Sequence, residues 1–246
     1  MCRLMGRTAF LTLLFSPGDR VRPYDLKARR QIHDHQSIVQ YLSSDNVCWL
    51  EGNYANSKRE VVMFDLDEFI ASCQDALKEH APQLAAKELM ERAMSAPGDV
   101  EAALGTPTSG GITTLHSSSK LTVLNIIWPP GMTIFPHDHR MWAVIGIYGG
   151  QEDNTFFRRN SQGLDRAGFR SLDVKDSVGL GPEAIHSVNN PRNVLTGAIH
   201  VYGGDFFLQP RSEWDPETLV EQPIDMEHTM RVFAEANDAW LSEQEN

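Results

Sequence analysis

The sequence predicts a mainly-β protein, a barrel of short strands with helical segments before and after it. Two observations carry this expectation. From Gly105 to about Arg211, short runs rich in Val, Ile, Thr, Phe and Tyr are bounded by Gly and Pro clusters at near-regular spacing. That is the grammar of an all-β barrel or sandwich, not of alternating βαβ units. On either side the pattern turns helical, with apolar residues at three-to-four spacing or acidic helix formers around a short apolar face. With 246 residues, 41% of them apolar, and a mean hydropathy of −0.34, the chain has material for one large domain with helical additions.

Residues 1–23 read as an N-terminal extension, buried or disordered. Arg3 and Arg7 flank the apolar run Thr8–Phe15 as in an export signal, but the run is short and no small-x-small cleavage site precedes Ser16-Pro17-Gly18. Residues 24–104 read as a helical segment packed on the barrel. Tyr24 to Tyr41 mixes charge with apolar Leu26, Ile32, Ile38 and Val39. Phe64 opens a longer helix whose early Asp65, Asp67 and Glu68 suit an N-terminus, and Phe69, Ile70, Cys73, Ala76 and Leu77 share a face. Pro82 breaks that run, a second helix follows through Leu84, Leu89 and Met94, and a third closes at Leu104 after Ser95–Asp99. Residues 105–213 are the barrel, with strands expected at Leu121–Trp128, Trp142–Tyr148, Thr155–Arg159, Phe169–Val174, Val194–Tyr202 and Phe206–Leu208. Residues 214–246 are expected to form a C-terminal helical tail that docks through Met230, Val232 and Phe233.

Composition narrows the function classes. The net charge of −11 argues against binding a phosphate backbone or an anionic membrane surface, both of which need a basic footprint. No window holds the roughly 18 apolar residues of a membrane span. Cys2, Cys48 and Cys73 are too few and too scattered for a disulfide framework or a thiolate zinc site, which reads as a reducing, cytoplasmic setting.

Nine histidines carry most of the functional information, among them two His-x-His pairs. His33-Asp34-His35 falls in a segment expected to be helical, where residues i and i+2 point to different sides; it reads as solvated surface. His137-Asp138-His139 lies beside a strand signal, where i and i+2 share a face and both imidazoles can reach one ion. His186 follows Gly179–Ile185 and precedes Asn190, offering a third ligand. Imidazoles suit iron, zinc, copper and nickel alike, so ligand type does not choose the metal.

These residues resemble a known family. Gly131, five residues, His137-x-His139 and then Gly150 match the first cupin motif, and the Gly/Pro-led His186 with Asn190 looks like the second. The resemblance implies a cupin double-stranded β-helix. The family's motif glutamate is missing, its positions being held by Ala143 and Val144. Three histidines without a carboxylate resemble the cysteine dioxygenase type of thiol dioxygenase over roughly Leu121 to Phe207, on Trp128, Pro136–His139, Trp142 and His200-Val201-Tyr202. His200 and Tyr202 match the family's Ser-x-His-x-Tyr triad, with Ala198 in place of serine. The Tyr-x-Arg substrate clamp expected before Leu121 is absent, since Gly110 to Lys120 contains no arginine, and Ala143 replaces the cross-linking cysteine. The runs Leu121–Met132, Pro136–Gly150 and Ile199–Phe207 also look like a bacterial branch of metal-dependent double-stranded β-helix proteins.

What the resemblance implies is an Fe(II) centre on His137, His139 and His186 that oxidises a small thiol with dioxygen to a sulfinate. Tyr202 would hydrogen-bond the substrate or the oxygen, with His200 orienting the phenol. Trp142 and Arg140 are the candidate substrate-binding residues, and either Arg158 or Arg159 would be an alternative cation for an acidic substrate. Loss of the clamp predicts relaxed selectivity for amino-acid thiols. Two other readings remain open: a hydrolase or isomerase using zinc, manganese or nickel at the same site, and a non-catalytic cupin that binds a small ligand.

Overall fold

The computed structural model describes residues 27–33, 36–43, 46–52, 63–161 and 163–244. The chain divides into two units at Val62/Met63. In the first, β1 (Lys27–His33), β2 (Gln36–Ser43) and β3 (Asn46–Gly52) form an antiparallel meander in the order β1-β2-β3. This corrects the helix expected from Tyr24 to Tyr41. Ser37–Leu42 is rich in β-branched and aromatic residues, and His33 pairs with Gln36 and Ser43 with Asn46, so that polar Asp34-His35 and Ser44-Asp45 fall between paired strand ends. Ile32, Ile38 and Val39, read as part of a helical stripe, are strand residues, and Leu26 lies outside the described residues. The extension 1–23 and His35 lie outside the described residues.

The second unit opens with three helices, α1 (Leu66–Ala76), α2 (Pro82–Met94) and α3 (Pro97–Leu104). Asp65 caps α1 by accepting the Glu68 amide at 2.9 Å, and α2 and α3 begin on Pro82 and Pro97, whose missing N–H costs nothing there. The strands follow: β4 (Gly111–Ser117), β5 (Thr122–Trp128), β6 (Thr133–Asp138), β7 (Ala143–Gly149), β8 (Gln151–Asn160), β9 (Gly163–Asp173), β10 (Ser177–Leu180), β11 (Ile185–Asn189), β12 (Thr196–Tyr202), β13 (Ser212–Trp214) and β14 (Glu221–Pro223). One sheet has the order β10-β7-β12-β5-β4, the other β14-β13-β6-β11-β8-β9. Counting β5 to β12 as strands one to eight, the first sheet takes one, three, six and eight, and the second takes two, four, five and seven. That alternation is the jelly-roll, the double-stranded β-helix of the cupins.

The central strands β5, β7 and β12 of the first sheet are buried on both faces, which explains why they read as continuous apolar runs. Leu124, Ile126, Trp128, Ala143, Ile145, Ile147, Ala198 and Tyr202 point between the sheets. Val123, Ile127, Val144, Tyr148, Ile199 and Val201 point outward into a second cluster with Phe69, Cys73, Ala86, Met90 and Met94 of the helices. Each fully buried methionine there contributes roughly 1.5–3 kcal/mol. Gly146 makes this approach possible, since a Cβ on it would lie 2.6 Å from Met90 Cγ and 2.8 Å from Met94 Cγ.

Two further expectations need correction. Phe206–Leu208 is a turn, because the Asp205 carboxylate accepts both the Phe207 and Leu208 amides at 3.0 Å and draws the chain out of the ladder. Trp214 ends strand β13, which pairs with β14; Asp215 takes the Glu217 and Thr218 amides, starting a turn. The C-terminal helix α4 (Met226–Gln244) starts only after Asp225, whose side chain accepts the Glu227 amide at 2.8 Å. Phe233 of α4 is buried and stacks on Trp128 at 5.3 Å, whereas Met230 stays exposed. Asn237 ties α4 to both backbone groups of Gly110. Among the described residues, no helix is long and apolar enough to cross a membrane.

Candidate metal centre

The strand register builds the site. His137 on β6 stands directly opposite His186 on β11, and His139 follows β6 by one residue. The chain then turns sharply, with Arg140 in the left-handed region at φ 53°. One nitrogen from each of His137, His139 and His186 lies within 4.8 Å of the others, and the Nε2 atoms of His139 and His186 are 3.4 Å apart.

The partners of the rings decide which nitrogens face the centre. His137 Nδ1 donates to the Phe135 carbonyl at 3.0 Å. His186 Nδ1 donates to Asn154 Oδ1 at 2.7 Å, and the orientation of that amide is set by its Nδ2, which donates to Glu152 at 2.9 Å. With the protons on Nδ1, both Nε2 lone pairs are free to ligate. Burial pushes His137 down to about 4 and holds His139 and His186 well below the ordinary imidazole range, with mutual repulsion within the cluster adding to the effect. At neutral pH, therefore, three neutral imidazoles converge in a buried space. His139 Nδ1 is buried without a partner, and its Nε2 can donate to His186 Nε2; a divalent cation with bonds of about 2.0–2.1 Å would instead take both Nε2 lone pairs. The donor set fits a metal.

Ala143 and Val144, at the positions where the cupin motif carries glutamate, are fully buried core residues. A different carboxylate supports the centre. Glu152 on β8 is fully buried, accepts the Trp128 indole N–H at 2.8 Å and holds Asn154 against His186. Burial raises its carboxyl, but His200, Asn154 and Trp128 together outweigh that and leave it below the usual glutamate range. His200 Nε2 approaches Glu152 at 3.5 Å, too long for a hydrogen bond, and has no other partner. His200 Nδ1 lies 3.0 Å from the Tyr202 hydroxyl, and the Tyr202 ring is edge-on to His139 at 5.0 Å. Burial raises the Tyr202 pKa, so the phenol keeps its proton.

A cavity of about 40 Å³ joins these groups. Its walls include the three histidines, His200, Tyr202, Trp128, Phe206 and Arg211, with Ile224, just past β14, and Met226 and Phe233 of α4 lining it as well. Space on this scale suits a ligand of a few heavy atoms. The structure thus brings together His137, His139, His186, His200 and Tyr202. It does not bring Arg140 and Trp142 to them. Arg140 turns away to pair with Asp138 at 2.5 Å, and Trp142 packs over Gly203 beside a shallow outer groove. Arg159 pairs with Asp138 and Glu221 at 2.9 and 3.0 Å and stacks on Trp214, and Arg158 is exposed. Ion pairing with Asp138, itself wholly buried, explains where these cations went.

Sequence reasoning passed over Glu152, Asn154 and Arg211. The first two share a face of a strand written Gln-Glu-Asp-Asn-Thr, where no apolar alternation marks the inward side. Arg211 sits among loop residues and carries no motif at all.

Fold and site together define a double-stranded β-helix of the cupin type with a three-histidine group that could hold a metal ion. No protein-family model matches the chain. Solved structures that resemble it include a DMSP lyase of Ruegeria pomeroyi DSS-3, at 16% identity and a TM-score of 0.36 over 44% of this chain and 53% of the lyase. They also include a double-stranded β-helix protein of Klebsiella pneumoniae, at 11% identity and 0.32 over 49% of this chain and 89% of that one. A cupin superfamily protein of Desulfitobacterium hafniense matches at 13% and 0.34 over 42% and 87%. The match spans about half the length of the lyase, and the fold assignment rests on the strand order itself.

Proposed function

We propose that this protein is a mononuclear iron dioxygenase that converts a small thiol to its sulfinate in a reducing compartment. The observation that carries the reading is the hydrogen-bonded His200–Tyr202 pair, buried in the wall of the same cavity as the three histidines. Both oxygen atoms of dioxygen are added to sulfur, four electrons passing from sulfur to oxygen, and no further reductant is needed. Bound Fe(II) would supply the electron exchange with dioxygen and thiolate. His137, His139 and His186 would hold it from one side, leaving the other side open to the cavity.

The chain's own residues then do three things. Ile224, Met226 and Phe233 exclude water, which strengthens every electrostatic interaction inside. Tyr202 keeps a proton beside His139 and offers its O–H to a charged ligand, with His200 fixing the phenol's direction. Glu152 and Asn154 lock the His186 ring. The test is oxygen uptake and sulfinate formation by the iron-loaded chain, with cysteine, mercaptopropionate and cysteamine compared. Uptake with at least one thiol is expected. No uptake with any of them, despite stoichiometric iron, overturns the reading in favour of a hydrolytic or isomerising cupin.

A further inference from the structure

In the buried His200–Tyr202 pair, His200 Nε2 is the one polar side-chain atom left without a hydrogen bond. It faces Glu152 Oε2 at 3.5 Å, longer than a formed hydrogen bond, so what acts between them is the charge of the carboxylate. Glu152 is wholly buried on β8, in the sheet that carries His137 and His186, and it crosses to the sheet of His200 to accept the Trp128 indole N–H at 2.8 Å. Its other oxygen accepts from Asn154 Nδ2 at 2.9 Å. Neither donor carries a charge, and among the described residues no lysine or arginine pairs with Glu152. Burial pushes its carboxyl up, yet the groups around it hold it below the usual glutamate range, so at neutral pH a negative charge stands in front of the ring.

A carboxylate this far from water fixes the hydrogens of whatever faces it, because its field is little screened there. A bare Nε2 would turn a lone pair toward that charge, whereas a hydrogen on Nε2 is drawn to it. Turning the ring over is no escape, since the flip puts carbons where Nδ1 and Nε2 now face Tyr202 and Glu152. On β12 the neighbouring residue of the same face, Ala198, has no side-chain polar atom to offer, so the support comes from the opposite sheet. We propose that Glu152 is the positioning residue of the His200–Tyr202 pair: it keeps a hydrogen on His200 Nε2, so that Nδ1 is the nitrogen that meets the Tyr202 hydroxyl. The same carboxylate holds His186 through Asn154, so one residue registers the phenol against a metal ligand across the two sheets. That the phenol so held serves thiol oxidation rests on the dioxygenase reading; the hydrogen on Nε2 does not.

Nitrogen-15 NMR of the metal-free full chain, labelled at histidine, reads that hydrogen directly, because a ring nitrogen that bears hydrogen resonates far upfield of one that does not. The His200 signals are identified by their loss in His200→Gln. In the wild-type chain at neutral pH, Nε2 should resonate as a hydrogen-bearing nitrogen. Glu152→Leu, checked for folding by circular dichroism, should move Nε2 toward the bare form, since a hydrogen there would be left unsatisfied beside hydrocarbon. Tyr202→Phe removes the partner of Nδ1 and leaves Glu152 in place; Nε2 should keep its hydrogen, and this variant serves if the leucine variant does not fold. A bare Nε2 in the wild-type chain, an unchanged Nε2 in folded Glu152→Leu, or a bare Nε2 in Tyr202→Phe overturns the proposal. None of these spectra involves iron, oxygen or a thiol, so the proposal and the dioxygenase reading fail separately.

Discussion

Asn154 and Glu152 show how much of this centre depends on residues that would not touch an ion. Asn154 holds His186 by one hydrogen bond and is itself held by Glu152. Removing such a support typically costs about 10–100-fold in metal affinity. Asn154→Ala is expected to lose that much in equilibrium dialysis while keeping its β-rich circular dichroism. Glu152→Leu leaves the Trp128 N–H and the Asn154 amide without their acceptor, and urea unfolding should show a loss of about 1–3 kcal/mol for each donor left unsatisfied. Tyr202→Phe should retain full metal and lose most turnover, because the phenol stands beside His139 without being a ligand. Cys73 offers a control on packing. Burial pushes its thiol up to about 12, so in a Cys2→Ser, Cys48→Ser background it should resist alkylation at pH 8 until the chain is unfolded.

At the scale of elements, the two sheets have separate duties. The first carries the helices on its outer face and His200 and Tyr202 on its inner face; the second holds His137 and His186 in direct register. Gly146→Val would drive a side chain into Met90 and Met94, and overpacking of this kind costs about 1–3 kcal/mol. Metal stoichiometry should stay at one per chain in that variant, because every ligand belongs to the opposite sheet or its edge. His186→Ala should have the converse effect, a barrel that still folds but has lost most of its metal. Helices α1 to α3 were legible because caps, prolines and a 3.6-residue period agreed. The meander β1–β3 was not: its apolar residues are few enough to fit either period, and only cross-strand pairing chooses between them.

Across the whole molecule, burial and charge set the response to pH. His137, His139 and His186 have folded-state pKa values below the unfolded imidazole value, so the stability they contribute is present above about pH 6.5 and is lost as pH falls. For the same reason protons compete poorly for the ligands of the folded chain. Affinity for a divalent ion, measured by competition with a chelator of known pH dependence, should hold nearly level from pH 7.5 to about 5, where exposed histidines would already have lost it. Both core clusters and all three ligands lie between residues 63 and 246. A chain beginning at Met63 should therefore fold and bind one ion, and His33→Ala with His35→Ala in the full chain should leave the stoichiometry unchanged.

By itself the sequence determined what is local or periodic. Strands β5, β7, β8, β9 and β12 follow from Gly/Pro punctuation and β-branched runs, and the helices before the barrel from caps and apolar spacing. His137 and His139 stand out because a strand's period of two leaves them side by side, and His200 and Tyr202 for the same reason. The tertiary structure alone decided which cations and carboxylates reach the centre. Glu152, Asn154 and Arg211 come from a polar strand and a loop, and what makes them matter is desolvation. Arg140 and Arg159, closer in sequence to a plausible clamp, are drawn off by Asp138 at the barrel's edge. A buried charge is recognised by what surrounds it, and those surroundings are assembled from strands that lie far apart along the chain.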